Sequence, residues 1–198
     1  MTKMRLVVLM FDDVEVLDFA GPFEVFGVAN ELNQNSLLEI QLVSADGMAV
    51  VAKNGLSINV DAAIDEISAA DLLLVPGGAG TRTVIEQTKT IQWIAERAAA
   101  ATHTMSVCSG ALLLAKAGLL SQCKVTTHHH CFELLQGLAP DAKICHQSRF
   151  VDNGQLITSA GISAGIDMSL HMVARLFGPL AAKATADYME YAWQAEAM

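Results

Sequence analysis

Thr104-Met105-Ser106-Val107-Cys108-Ser109-Gly110-Ala111-Leu112-Leu113-Leu114-Ala115-Lys116-Ala117-Gly118 is the stretch whose pattern decides the fold. Thr104 to Val107 has the length and composition of a strand. Ser109 to Ala117 reads as a helix that Gly118 ends. Cys108 therefore falls on a sharp strand-to-helix turn, where small neighbours are needed because the backbone is tightly bent. A side chain on such an elbow projects beyond the end of its strand.

Outward from the elbow the alternation repeats. Arg5–Met10 and Leu72–Val75 are apolar runs of strand length, uniform enough to suit strands covered on both faces. Phe19–Leu32 carries apolar residues at helical spacing, with Pro22 expected in its first turn. Thr88–Ala101 reads as another helix. Ile40–Val43, Val50-Val51 and Leu56–Val60 read as short strands, the last two turned at Asn54-Gly55. A second hairpin joins Ser148–Val151 to Leu156–Thr158 through Asp152-Asn153-Gly154. Two helices follow, Ile166–Phe177 and Leu180–Trp193. Alternating β and α elements with an added hairpin predict an α/β three-layer sandwich, a mainly parallel central sheet with helices on both faces. The 198 residues are expected to form one domain, 1–198.

Composition removes several function classes. Hydrophobic residues make up 53 % and charged residues 17 %, which excludes a disordered chain. With 21 acidic and 12 basic side chains the net charge is −9, and no basic run offers a footprint for a phosphate backbone, so no direct nucleic-acid contact is expected. No apolar stretch reaches the roughly 20 residues that span a bilayer. Met1-Thr2-Lys3-Met4-Arg5 and the short apolar run after it stop at Asp12-Asp13 without a small-residue cleavage site, so they read as a first strand rather than a leader. Four cysteines with no Cys-x-x-Cys suit a reducing, cytoplasmic setting.

In a parallel α/β sheet ligands bind beyond the carboxyl ends of the strands, so the residues just after each strand carry the chemistry. Cys108 is expected to be a nucleophile, its thiol made acidic by the amino end of the following helix. Cys123, Cys131 and Cys145 lack this setting and are assigned to packing. Asp18 lies in Leu17-Asp18-Phe19-Ala20-Gly21-Pro22, between the first strand and first helix. If both strands are central and parallel, it reaches Cys108 and the two titrate as a pair. The alternative is a helix-capping aspartate, and Asp12 and Asp13 are rivals in the same loop. Pro76-Gly77-Gly78-Ala79-Gly80-Thr81-Arg82 brings backbone N–H groups toward developing negative charge. It lacks both Gly-x-Gly-x-x-Gly and Gly-Lys-Ser/Thr, so its signal for a phosphate cradle is weak. Arg82 is expected to pair with an acidic surface residue, the alternative being an anionic ligand. On an extended segment His128-His129-His130 would place only His128 and His130 on one face, and no second ligand pair has zinc-like spacing. No metal is therefore expected. His128 is either an acid, base or hydrogen-bond partner near the strand ends, or a structural histidine.

Taken together, Leu17-Asp18-Phe19-Ala20-Gly21-Pro22-Phe23-Glu24-Val25-Phe26, Val75-Pro76-Gly77-Gly78, Val107-Cys108-Ser109-Gly110-Ala111, Ala117-Gly118-Leu119-Leu120, Thr126-Thr127-His128 and Thr158-Ser159-Ala160-Gly161 through Gly165-Ile166-Asp167 resemble the DJ-1/PfpI superfamily. That superfamily belongs to the flavodoxin-like, class I glutamine-amidotransferase-like folds. Within it the sequence is similar to isocyanide hydratase-like enzymes and to the amidotransferase-like domains of AraC-type regulators. The first resemblance implies Cys108 as nucleophile and Asp18, ahead of Asp12 and Asp13, as its proton partner. It also implies charge stabilisation by the N–H groups of Gly78 and Ser109, and hydration of an isocyanide to an N-formamide without metal or organic cofactor. Ser109 stands where the hydratase commonly has threonine and where peptidase-like members have histidine, so proteolysis is not expected. A small-molecule substrate and a homodimer follow by the same resemblance. The second implies a stand-alone ligand- or redox-sensing domain, with Cys108 oxidisable to a sulfinate. Those regulators carry a DNA-binding domain beyond this region, whereas this sequence ends at Met198, so direct DNA binding is not expected.

Overall fold

Runs that are apolar at every position, rather than at every second one, belong between two layers of helices. The computed structural model describes residues 3–194. The first half runs β1 (Met4–Leu9), α1 (Val16–Leu32), β2 (Leu38–Ser44), β3 (Val50–Val51), β4 (Ser57–Ile58), β5 (Ala62–Ala63), β6 (Leu72–Val75), α2 (Thr81–Val84) and α3 (Thr88–Ala100). Then come β7 (His103–Ser106), α4 (Gly110–Lys116), β8 (Lys124–Val125), α5 (Phe132–Leu138), β9 (Lys143–Ile144), β10 (Phe150–Asp152), β11 (Leu156–Ser159), α6 (Ala164–Phe177) and α7 (Pro179–Tyr188).

Seven strands form one sheet in the order β10-β11-β7-β6-β1-β2-β5, parallel throughout except for the antiparallel edge β10. Helices α1, α6 and α7 pack together, as do α2, α3, α4 and α5 around α4. The expected mainly parallel α/β sandwich is therefore the observed fold. Leu6, Val7 and Val8 of β1 and Leu72, Leu73 and Leu74 of β6 are fully buried, each side chain contributing roughly 1.5–3 kcal/mol of transfer free energy. In register Val7 sits opposite Leu73, and Leu73 opposite Thr104. These three central parallel strands end on one edge, so the loops after Leu9, Val75 and Ser106 meet there.

Boundaries differ where tertiary contacts decide them. Helix α1 begins at Val16, so Asp18 lies in its first turn rather than in a loop, and Pro22 lies inside the helix rather than at its start. The Glu15 N–H donates to the Gly77 carbonyl at 2.9 Å, anchoring the entry to the helix three residues before the expected Phe19. The Asn54-Gly55 hairpin forms as expected, with φ 69° and 85° at the two residues, but β3 and β4 make a ladder separate from the main sheet. Helix α7 ends at Tyr188, short of Trp193. Among the described residues no helix is long and apolar enough to cross a membrane.

Candidate active site

Cys108 has φ 56°, a left-handed conformation that a side chain bearing a Cβ rarely adopts. Contacts on both sides hold it there. Its N–H is shared between the carbonyls of Ser159 (3.2 Å) and Ala160 (3.1 Å), and its carbonyl accepts from the Thr127 hydroxyl at 2.6 Å. Gly110 is required beneath the turn, because a Cβ there would run into the Val75 carbonyl. The result is a residue that is 7 % exposed, where the preceding Val107 is fully covered, and that lines a cavity of about 460 Å³.

Behind the sulfur stands Asp18, fully buried on the first turn of α1. It is not a helix cap: its Oδ2 accepts the Gly77 N–H at 3.1 Å, and its carboxylate also faces the Ile162 N–H and the Cys108 thiol. Oδ1 has no well-aligned donor, so one buried carboxylate oxygen is left for the thiol proton or for a substrate. A Cβ at Gly77 would meet Asp18 Oδ2 at 2.8 Å and Ser109 N at 2.5 Å, so only glycine lets the three groups converge. Asp12 and Asp13 are exposed, and Asp12 Oδ1 accepts the Val51 N–H at 2.8 Å instead.

The electrostatics reverse one expectation. Burial pushes Asp18 up to about 7, against the downward pull of its hydrogen bonds to Cys108 and Gly77. Burial and the neighbouring Asp18 carboxylate push the Cys108 thiol up to about 12, outweighing the Ser109 N–H that stabilises the thiolate. Cys108 is thus not an independently acidic thiol. The pair loses one proton near neutrality and holds the second tightly, so between those limits one proton serves both groups.

Gly78 and Ser109 lie beside the sulfur, but not as an open pair of donors. The Gly78 N–H is engaged by the Ser109 hydroxyl at 2.9 Å, and that hydroxyl lies 3.1 Å from the Gly78 carbonyl, with Thr81 Oγ1 3.3 Å away. Only the Ser109 N–H is directed at Cys108.

Histidines 128–130 do not lie on an extended segment. Residues His129–Cys131 form a 3-10 turn, which brings all three rings together with centroids 4.1–5.1 Å apart. Their ligating atoms lie within 4.8 Å of one another, a cluster that alternation of side chains could not foresee. Burial and the two neighbouring imidazoles push His128 downward, with Glu15 opposing that shift and Arg82 adding to it. His128 lines the cavity, its ring against Gly161 and its Nδ1 accepting the His130 N–H at 3.3 Å.

Cys131, assigned to packing, also lines the cavity, and Arg82 donates to its sulfur at 3.2 Å. The sequence offered Thr127 only within the Thr126-Thr127-His128 motif, with no role of its own, and did not single out Ile162. Thr127 acts through its hydroxyl and Ile162 through its backbone N–H, in a fold that brings distant loops together, and neither role leaves a spacing signal.

A cysteine on a strand-to-helix elbow at the carboxyl edge of a mainly parallel sheet, backed by a buried carboxyl group, defines the class. Residues 4–175 match the DJ-1/PfpI family, and the chain belongs to it. It is 34 % identical over 184 residues to the isonitrile hydratase of Pseudomonas putida, covering 93 % of this chain and 77 % of that one. It is 31 % identical over 171 residues to the HTH-type transcriptional regulator CdhR of Pseudomonas aeruginosa, covering 86 % of this chain and 50 % of the regulator. Among solved structures, a THiJ/PfpI family protein from Pseudomonas syringae superposes with a TM-score of 0.87 at 30 % identity, covering all of this chain and 78 % of that one.

Proposed function

We propose that this protein hydrates isocyanides to N-formamides, with Cys108 as nucleophile and Asp18 as its proton partner. The observation that carries the reading is the fully buried Asp18 carboxyl beside Cys108, pushed up to about 7 by burial and with one oxygen lacking a well-aligned donor. The proton shared by the pair moves to Asp18 as the thiolate attacks the terminal isocyanide carbon, forming the C–S bond. Asp18 then delivers that proton to the same carbon, giving a thioimidate. Asp18, now ionised, takes a proton from water as it adds to the thioimidate carbon and passes that same proton to the nitrogen, leaving a neutral adduct whose hydroxyl holds the remaining proton. Collapse breaks the C–S bond, releases R–NH–CHO and returns the shared proton to the pair.

The first addition develops charge at carbon rather than at an oxygen. The engaged Gly78 N–H is therefore less of an obstacle to this chemistry than to acyl transfer, which needs an open oxyanion site. The reaction calls for neither metal nor organic cofactor, and the substrate is a small molecule. We further propose a cytoplasmic homodimer, which light scattering of the purified chain tests. Likeness to a transcriptional regulator at 31 % identity favours a second reading, a ligand- or redox-sensing domain without direct DNA contact. Formamide release from cyclohexyl isocyanide, followed by chromatography, separates the two. Turnover that Cys108→Ala abolishes supports the hydratase, and an inert wild type across a panel of isocyanides overturns it.

A further inference from the structure

Arg82 lies on α2 at the rim of the cavity that holds Cys108. The expected surface ion pair is absent: among the described residues no carboxylate is within 4.0 Å of its guanidinium. Neutral acceptors hold it instead. Nη1 donates to the Gly78 carbonyl at 3.3 Å and to Thr81 Oγ1 at 2.8 Å, and Nη2 donates to the Cys131 sulfur at 3.2 Å. That leaves Nε–H and one Nη2–H with no acceptor among the described residues, charged donors of the kind carboxylates accept.

The remaining charges around the opening leave this one unbalanced. Glu15, the acidic residue on the cavity wall, is paired with Lys53 at 2.9 Å. Asp18 is fully buried behind the sulfur, with Oδ2 engaged by Gly77. His128 and His130 add ring nitrogens to the same wall. In a chain of net charge −9, the mouth of this cavity presents a fixed positive charge with free donors.

We propose that Arg82 binds a carboxylate on the substrate while the reacting carbon faces Cys108. Resting on the hydratase reading, this names the substrate class as short isocyanides that carry a carboxylate. Part of the test is independent of that reading. Iodoacetate and iodoacetamide alkylate a thiol by the same displacement of iodide and differ in charge. The ratio of their rates at Cys108 in the full chain should fall about tenfold in Arg82→Gln, as loss of a charged hydrogen-bonding partner implies. Arg82→Lys should fall in between, since a point charge replaces a fork. The ratio of kcat/KM for isocyanoacetate to that for its methyl ester should drop in parallel.

An alkylation ratio that changes less than threefold in Arg82→Gln overturns the carboxylate site, whether or not isocyanides are hydrated. If the ratio falls as expected and neither isocyanide is turned over, the anion site stands and the hydratase reading fails.

Discussion

Cys108 and Cys131 line one cavity, yet the chain builds them in opposite ways. Cys108 is held at φ 56° with a buried carboxyl behind it; Cys131 has φ −110°, opens α5 and receives a guanidinium hydrogen bond. Both residues are nearly covered, at 7 % and 3 % exposure, so burial does not separate them. What separates them is a proton acceptor. In the proposed reaction Cys108 hands its proton to Asp18 and takes it back, whereas Cys131 faces a guanidinium, which accepts no proton. The proposal therefore ties reactivity to the neighbour and the elbow, not to the residue type.

The comparison breaks most visibly in activity. Cys108→Ala should lower isocyanide hydration by at least about a thousandfold, while Cys131→Ala stays within about tenfold of wild type, as read by formamide release. Comparable losses in both variants would erase the distinction. Asp18→Asn comes next, with kcat/KM reduced roughly 10²- to 10⁴-fold.

The same substitution should sharpen the electrostatic half of the contrast. Asp18 binds its proton more tightly folded, near 7, than unfolded, near 3.8, so folding stability falls as pH rises between those values and the cost is complete above 7. Asp18→Asn is therefore expected to stabilise the protein by about 1–3 kcal/mol at pH 8, with the gain vanishing toward pH 4 in denaturant titrations. A smaller effect tests the anchor of the elbow: Thr127→Val, which removes the 2.6 Å bond to the Cys108 carbonyl, should cost about 1–2 kcal/mol. The smallest concerns backbone strain. Cys108→Gly should be more stable than Cys108→Ala by roughly 1 kcal/mol, and the order should invert for glycine and alanine at Cys131. Thermal unfolding of the four variants reads both signs.

The layers of this molecule were legible because uniform apolar runs such as Leu72–Val75 and Arg5–Met10 have few other uses, and the elbow was legible because Cys108 interrupts a strand-to-helix pattern. Two-residue ladders such as Lys124–Val125 with Lys143–Ile144 carry no periodicity and were not visible. The three clustered imidazoles depend on a 3-10 turn that the extended reading excluded. The direction of the Cys108 shift was missed for a related reason. A helix amino end can be read from Ser109-Gly110-Ala111, but depth below the surface and the approach of Asp18, ninety positions away, are set by packing. Burial dominates that balance, and the contact that then makes the thiol usable is the same one that raises it.

The most direct measurement is the pH profile of Cys108 alkylation by iodoacetamide in wild type and Asp18→Asn. A shared proton predicts a rise through about pH 7 to a plateau in wild type, then a second rise at high pH toward about 12 as the thiolate forms outright. In Asp18→Asn the plateau should disappear, leaving one titration. A single wild-type step near the ordinary thiol value of about 8.5, unchanged by Asp18→Asn, would contradict the coupling of these two residues.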